Sequence, residues 1–152
     1  KPILGEMVNY INAAEKAKER GINVEEINSS KTEEFVNSIK VDIVTDKETF
    51  SILGTLSANN QPRIVKINGV YVEAIPEGYM LLIHNNDKPG LVGAIGTTLA
   101  QANVNIAGVS LGREKQAGLA VSVFNVDSCV NEEVIKKLTG LKDVLYIKLL
   151  KI

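Results

Sequence analysis

A polar segment between two apolar stretches carries the residues with the clearest chemical potential. It has the sequence NNDKPGL at residues 85–91, and Asn105 follows fifteen residues after Gly90. The segment is predicted to join the end of a strand to the start of a helix, where unpaired N–H groups and partial positive charge suit a carboxylate. Asp87 offers an anion for an ammonium group, and Asn85 and Asn105 offer amides. These residues predict a site for a small zwitterion, an amino acid; the alternative is that Asp87 caps the helix and the asparagines satisfy turns.

The sequence motifs of common cofactor and catalytic sites are absent from the 152 residues. Neither G-x-G-x-x-G nor G-x-x-x-x-G-K-[ST] occurs, so the two common nucleotide loops are missing. One cysteine and one histidine cannot complete a zinc site. His84 ends an apolar stretch, which favours a structural histidine. We therefore predict neither catalytic residues nor a metal site on this chain.

Composition narrows the class of protein further. The chain has 17 Lys+Arg, 18 Asp+Glu and an apolar fraction of 45%, which is ordinary for a globular protein. A net charge of −1 and the missing aromatic RNA-binding pattern argue against a nucleic-acid partner. No apolar run approaches the roughly 18 residues of a membrane span. The single Cys129 cannot form an internal disulfide, so we expect a cytoplasmic protein with no membrane partner.

The first half reads as a short helix followed by strands. Strong helix formers predict a helix over residues 13–20, with Asn12 as N-cap and Gly21 as C-cap. Alternation over residues 8–11 predicts a short extended segment before it. A β-rich stretch is predicted from Ile22 onward, with polar residues 29–32 as a loop. Its strands are predicted at residues 36–44, 49–56, 63–67 and 70–72, and the dipeptide Asn68-Gly69 is the strongest hairpin signal.

The second half predicts the order β-α-β-β-α-β. Strands are predicted at residues 79–84, 105–110, 119–126 and 144–150. In the last one, alternation predicts Leu145, Ile147 and Leu149 on one face and Val144, Tyr146 and Lys148 on the other. The first helix is predicted to begin near Pro89, with Val92 on its apolar face. The second is predicted over residues 130–138, with Asn131 as its cap. This order is the ferredoxin-like, four-stranded antiparallel pattern. The predicted fold class is thus α+β, with a β-rich domain at residues 1–77 and a ferredoxin-like domain at residues 78–152.

Two regions resemble a known enzyme family. Residues 83–110, IHNNDKPGLVGAIGTTLAQANVNIAGVS, closely resemble an ACT domain, in particular the one that ends the D-3-phosphoglycerate dehydrogenases. VNYINAAEKAKERGI (residues 8–22), GTL (residues 54–56) and RIVKINGVYVE (residues 63–73) are similar to the intervening, or allosteric substrate-binding, domain of the long form of that family. The resemblance covers essentially the whole chain.

The resemblance implies a regulatory role. The family oxidises 3-phosphoglycerate with NAD in the first committed step of L-serine biosynthesis, and L-serine inhibits it at interfaces between ACT domains. The resemblance thus implies a homo-oligomer with L-serine as effector, and NAD bound by the parent enzyme but not by this chain. The basic anion site of the intervening domain would fall on Arg63, with Lys66 as a second candidate. The effector site would comprise Asn85, Asp87, Lys88, Pro89, Gly90, Leu91 and Asn105.

Two other interpretations stay open at this point. The regulatory portion of an L-serine dehydratase uses related domains, and a free-standing amino-acid-binding module would share the ACT pattern. The first residues are Lys1-Pro2 with no methionine. We therefore expect a cut in a longer protein, the alternative being a small protein from which a tag was removed.

Overall fold

A computed structural model describes residues 8–30 and 34–152. The chain divides into two compact units, residues 1–32 and residues 33–152. This division falls inside the first predicted domain, so the predicted boundary between residues 77 and 78 stays a prediction. Residues 31 and 32 of the predicted polar loop lie outside the described residues. In the described ranges, no helix is long and apolar enough to cross a membrane.

The first unit contains helix α1, Ala13–Lys18. The side chain of Asn9 accepts hydrogen bonds from the N–H groups of Ile11 and Asn12, and the side chain of Asn12 accepts one from the N–H of Asn9. This reciprocal arrangement is a capping box. The prediction of an extended segment over residues 8–11 is therefore wrong, because the chain already turns at Asn9. Asn12 lies inside the capping box and makes no side-chain cap bond as the predicted N-cap.

Gly21 ends the helix as predicted. Its φ is +72°, its N–H bonds the carbonyl of Lys18, and the N–H of Ile22 bonds the carbonyl of Ala17. These two bonds define a Schellman motif. The predicted start of a β-rich stretch at Ile22 is wrong, since residues 22–29 form no strand. Alternating apolar residues make a stable strand only against a partner, and here the apolar side chains from Ile22 to Ile27 are exposed.

The second unit begins with a four-stranded sheet, called here the first sheet. Its strands are β1 (Ser38–Val44), β2 (Thr49–Leu56), β3 (Pro62–Ile67) and β4 (Val70–Ala74), antiparallel in that order. Asn68 and Gly69 join the last two strands with φ values of 48° and 81°. Two positive φ angles are the requirement of the type I′ hairpin turn, so the predicted hairpin is confirmed.

The rest of the unit forms a second four-stranded sheet with two helices, called here the second sheet. Its elements are β5 (Tyr79–Asn86), α2 (Leu91–Gln101), β6 (Ile106–Arg113), β7 (Leu119–Val126), α3 (Glu132–Thr139) and β8 (Val144–Lys151). The strand order is β6-β7-β5-β8, and all pairs are antiparallel. The predicted ferredoxin-like α+β fold is confirmed. Strand β6 is left at one edge.

Both helices pack on one face of the second sheet. The buried side chains between them are Leu81, Ile83, Leu91, Ile95, Leu99, Val104, Phe124, Val126, Val130, Val134 and Leu138. Helix α2 buries Leu91, whereas Val92, which the sequence predicts on its apolar face, is 43% exposed. Asn131 begins α3 as predicted, since its side chain accepts the N–H of Val134 at 2.9 Å.

A bulge alters the predicted face of β8. Tyr146 pairs with His84, but Val144 pairs with Asn85, so Leu145 is the extra residue between them. An extra residue in one strand shifts the side-chain alternation beyond it. Val144 therefore packs with the helices, together with Ile147. The prediction that Leu145 shares a face with Ile147 is therefore wrong, and its side chain is 54% exposed.

The opposite face of the second sheet packs against the first sheet. This layer buries Ile67, Val70, Val72, Ala74, Met80, Leu82, Val121 and Val123. The two sheets approach closely at Gly112 on β6, where an added Cβ would lie 1.9 Å from the carbonyl oxygen of Tyr71 on β4. The hydroxyl of Ser110, on the same edge strand, donates to the carbonyl of Glu73. The second sheet is thus covered on both faces, and strands β6 and β8 form its two edges.

Candidate functional site

The end of β5 carries a buried polar pair. Asn85 is 5% exposed and Ser122 on β7 is 2% exposed, and they are the two buried polar residues in the described part of the chain. The Ser122 hydroxyl donates to the Asn85 side-chain oxygen at 2.9 Å, and the Asn85 amide donates to the carbonyl of Asn86. Buried polar groups are costly unless they are bonded. Asn85 is therefore held in one orientation at the floor of the site.

Asp87 forms hydrogen bonds to the hairpin between β6 and β7. Its N–H donates to the carbonyl of Gly118 at 2.8 Å. One carboxylate oxygen, Oδ2, accepts from Nη1 of Arg113 at 3.1 Å and from the N–H of Ala117 at 3.2 Å. The side chain is 33% exposed, so solvent still reaches it. Sequence reasoning missed Arg113 and Ala117, because they follow Asp87 by 26 and 30 residues and only the strand register brings them together.

Helix α2 begins without a side-chain cap. Gly90 occupies the N-cap position with φ +88°, and no side chain bonds the first N–H groups. The alternative in which Asp87 caps this helix is therefore wrong, because its carboxylate binds the hairpin loop. Pro89 precedes this cap, so the helix begins near it as predicted, two residues later at Leu91. The left-handed backbone that glycine tolerates turns the chain sharply into Leu91.

The predicted residues of this loop line two cavities. The smaller has a volume of about 210 Å³ and is lined by Asn85, Asp87, Lys88, Leu91, Val92, Leu111, Gly112, Arg113, Ala120 and Ser122. The larger, about 680 Å³, is lined by residues 88–91, Ala94 and residues 141–143. The larger cavity is the more open, and it does not contact Asn85 or Asp87. Asn85 and Asp87, two of the polar side chains predicted to recognise a ligand, line the smaller cavity, called the cleft below.

Asn105 lies at the other end of the second sheet. Asn86 pairs with Leu119, whereas Ile106 pairs with Val126, the partner of Tyr79. Eight residues of strand therefore separate the ends, which is about 25 Å. The amide of Asn105 donates to Asp127 at 2.7 Å. Asn105 and Asp87 cannot meet one small ligand within a single chain.

Arg63 and Lys66 lie on β3 of the first sheet, each with polar partners of its own. A bulge at Val65 lets both Ile64 and Ile67 face the layer between the sheets, which puts Arg63 and Lys66 on the outer face. Arg63 bonds Gln61 and the carbonyl of Pro62. The candidate anion site at these two cations stays a prediction.

Lys66 has partners of its own on that outer face. Its Nζ lies 2.6 Å from Glu34 and 4.2 Å from the centre of the Tyr71 ring. The hydrogen bond to Glu34 raises the pKa of Lys66, and the same bond lowers the pKa of Glu34. An anion that binds Lys66 must compete with this carboxylate.

His84 faces the layer between the two sheets, next to Tyr146. The two rings meet edge to face with centroids 6.0 Å apart. Partial burial lowers the pKa of His84 below its ordinary value. The structural role of His84 stays a prediction. Cys129 is exposed, and residues 8–30 and 34–152 contain no cluster of three or more His, Cys, Asp or Glu residues that could hold a metal ion.

The strand order and the two helices define residues 79–151 as an α+β domain of the ferredoxin-like class, with a polar cleft where its first strand meets its first helix. Comparison with protein families is more specific. Residues 79–143 match the ACT domain, and residues 1–68 match the D-3-phosphoglycerate dehydrogenase intervening domain. The chain therefore carries these two domains in this order, and the resemblance seen in the sequence is confirmed.

Curated relatives of the chain are named D-3-phosphoglycerate dehydrogenase. The chain is 40% identical over 151 residues to the D-3-phosphoglycerate dehydrogenase of Methanocaldococcus jannaschii, a match that covers 97% of this chain and 28% of the relative. The corresponding match in Bacillus subtilis is 33% identical over 150 residues and covers 99% and 29%. That in Synechocystis is 33% identical over 149 residues and covers 96% and 27%. The chain spans less than a third of the length of these relatives.

Proposed function

We propose that this chain is the regulatory region of a NAD-dependent D-3-phosphoglycerate dehydrogenase and that its ACT domain binds L-serine as a feedback inhibitor. The two matched domains and the names of the relatives support the parent enzyme. The cleft is the observation that supports L-serine as the ligand. It combines a partly exposed carboxylate, a buried amide and an uncapped helix N-terminus within about 210 Å³.

Each group of the ligand has a counterpart in the cleft. The ammonium group of L-serine binds the carboxylate of Asp87. Its carboxylate binds N–H groups at the start of α2, where Gly90 leaves the first turn without a side-chain acceptor. Asn85 presents an amide whose oxygen is fixed by Ser122. The cleft is smaller than the 300–1,000 Å³ typical of drug-sized ligands, which favours a small amino acid.

A second copy of the chain completes the site. Asn105 lies about 25 Å from Asp87 along the strands, so a ligand that contacts both needs two chains. Strand β6 is an edge strand, with Asn105 just before its first residue and Arg113 as its last. A two-fold axis that pairs β6 antiparallel with its copy brings Asn105 of the partner subunit beside Arg113 and Asp87.

Exposed apolar side chains beside this edge support the pairing. Val109 and Leu111 on β6 are 44% and 57% exposed, and Val92 on α2 is 43% exposed. Leu111 and Val92 line the same cleft, so they lie on the helix side of the edge. A free strand edge flanked by apolar side chains is a surface that proteins normally cover. A second copy at β6 would cover the edge and enclose the ligand.

A ligand between two subunits gives a route to regulation. Such a ligand favours the arrangement of the interface to which it binds more tightly, and the other arrangement loses population. The parent enzyme would then lose activity if its active arrangement binds L-serine less well. This coupling requires the two-chain site.

Isothermal titration calorimetry of the chain with L-serine tests this function. We expect saturable binding with one L-serine per chain, that is, two per pair. Ethanolamine, which lacks the carboxylate, serves as the control and should bind much more weakly than L-serine. Absence of heat with millimolar L-serine would contradict the proposal.

A further inference from the structure

Arg113 stands beside Asp87 at the mouth of the cleft. It is the last residue of β6, its side chain is 61% exposed, and its Nη1 lies 3.1 Å from Oδ2 of Asp87. The contact joins one guanidinium nitrogen to one carboxylate oxygen. A guanidinium carries five N–H donors, so most of its binding capacity is not used by Asp87. Both side chains line the cleft.

The pair of opposite charges matches one class of ligand. A lone carboxylate attracts any cation, and a lone guanidinium attracts any anion. An α-amino acid presents both charges about one carbon apart, so its ammonium can bind Asp87 while its carboxylate binds the neighbouring guanidinium. Charges then alternate around the site, and guanidinium–carboxylate hydrogen bonds are among the stronger ones in proteins.

The position of Arg113 fits this role. Val92 in the first turn of α2 lines the same cleft as Arg113, so a carboxylate there reaches both the helix N–H groups and the guanidinium. In the absence of a ligand, the ion pair with Asp87 and the bond from the Ala117 N–H keep both charged groups at the cleft. An exposed ion pair of this kind is worth little by itself, so it yields readily to a ligand.

We propose that Arg113 is a specificity-determining residue of the effector site and binds the carboxylate of a free α-amino acid whose ammonium is held by Asp87. The inference rests on the proposed function, because it uses the same cleft. It adds a selection rule: free amino acids are accepted, and amides or simple amines are disfavoured.

Binding of two ligands to one variant tests this assignment. We expect Arg113→Ala to weaken L-serine binding about tenfold. The affinity for L-serinamide, which lacks the carboxylate, is measured by competition with L-serine. It should differ by less than about twofold between the native chain and the variant. Lys115→Ala removes a cation from the same hairpin without touching the cleft and should behave as the native chain. Thermal unfolding of each variant checks that the fold is retained.

The outcomes separate this inference from the function on which it rests. If Arg113→Ala binds L-serine as tightly as the native chain, or more tightly, the role of Arg113 is wrong and the effector site stands. If Arg113→Ala loses affinity for L-serine and for L-serinamide equally, Arg113 only positions Asp87, and the inference is again overturned. If the native chain binds no L-serine, the proposed function itself fails. A loss of affinity for L-serine alone supports both the role of Arg113 and the proposed function.

Discussion

Replacing Asp87 with alanine should weaken L-serine binding by about 10- to 100-fold and leave the fold intact. The carboxylate is the anion at the cleft that we assign to the ligand ammonium, and hydrogen bonds to charged groups contribute about 1.5–3 kcal/mol. The structural loss is small, because the ion pair with Arg113 is exposed and such pairs contribute little to stability. Calorimetry measures the affinity, and thermal unfolding measures the stability.

A control on the same hairpin makes the result specific. Glu114→Ala removes a carboxylate next to Arg113 without touching the cleft. It should bind L-serine as the native chain does. An Asp87→Ala chain with native affinity would contradict the assignment of the ammonium to Asp87, and equal losses in both variants would point to a general charge effect.

The second large effect is expected at Gly112. Its alanine variant would place a Cβ 1.9 Å from the backbone oxygen of Tyr71 and 2.9 Å from a Val70 methyl group. The obstacle is backbone of a paired strand, so β6 and β4 have to separate. Overpacking of this kind costs about 1–3 kcal/mol, occasionally more. We expect the free energy of unfolding, measured with urea, to fall by at least this amount.

Gly108→Ala is the matched control. Gly108 is on the same strand, four residues before Gly112, and an added Cβ would meet only Asn125 at 3.9 Å. Alanine in a strand loses less backbone entropy than glycine, so stability should stay equal or rise slightly. Equal stability of the Gly112→Ala and native chains would contradict the close packing of the two sheets.

The parts of the fold that are predictable from the sequence depend on neighbours along the chain. Gly21, the Asn68-Gly69 turn and the Asn131 cap are all as predicted, because each needs only local backbone geometry and one nearby side chain. The same local logic also explains one error. Asn9 and Asn12 form a capping box, which overrides the alternation that predicted an extended segment.

The errors and omissions come from long-range pairing. Strict alternation predicts Leu145 on the same face as Ile147, but the bulge opposite Asn85 puts Val144 there instead. Ser122 and Arg113 are 37 and 26 residues from their partners in the site. Nothing in the sequence fixes the register that joins them. The one available signal is Ser122, which lies among apolar residues in a strand whose other polar residue is Asn125.

The distance between Asn105 and Asp87 is also evident only from the strand register of the sheet. Along the sequence the two residues flank one helix, which is compatible with a single-chain site. The antiparallel register puts them at opposite ends of the second sheet, about 25 Å apart. One ligand that contacts both residues therefore needs two chains.

Co-expression of two differently tagged chains tests that claim most directly. One mixed pair joins an Asp87→Ala chain to an Asn105→Ala chain; the other joins a chain with both substitutions to a native chain. The two pairs carry the same substitutions in total. A site shared between chains predicts one native-affinity L-serine site per pair in the first and none in the second. One native site in the second pair and none in the first would contradict the account, because each site would then belong to a single chain.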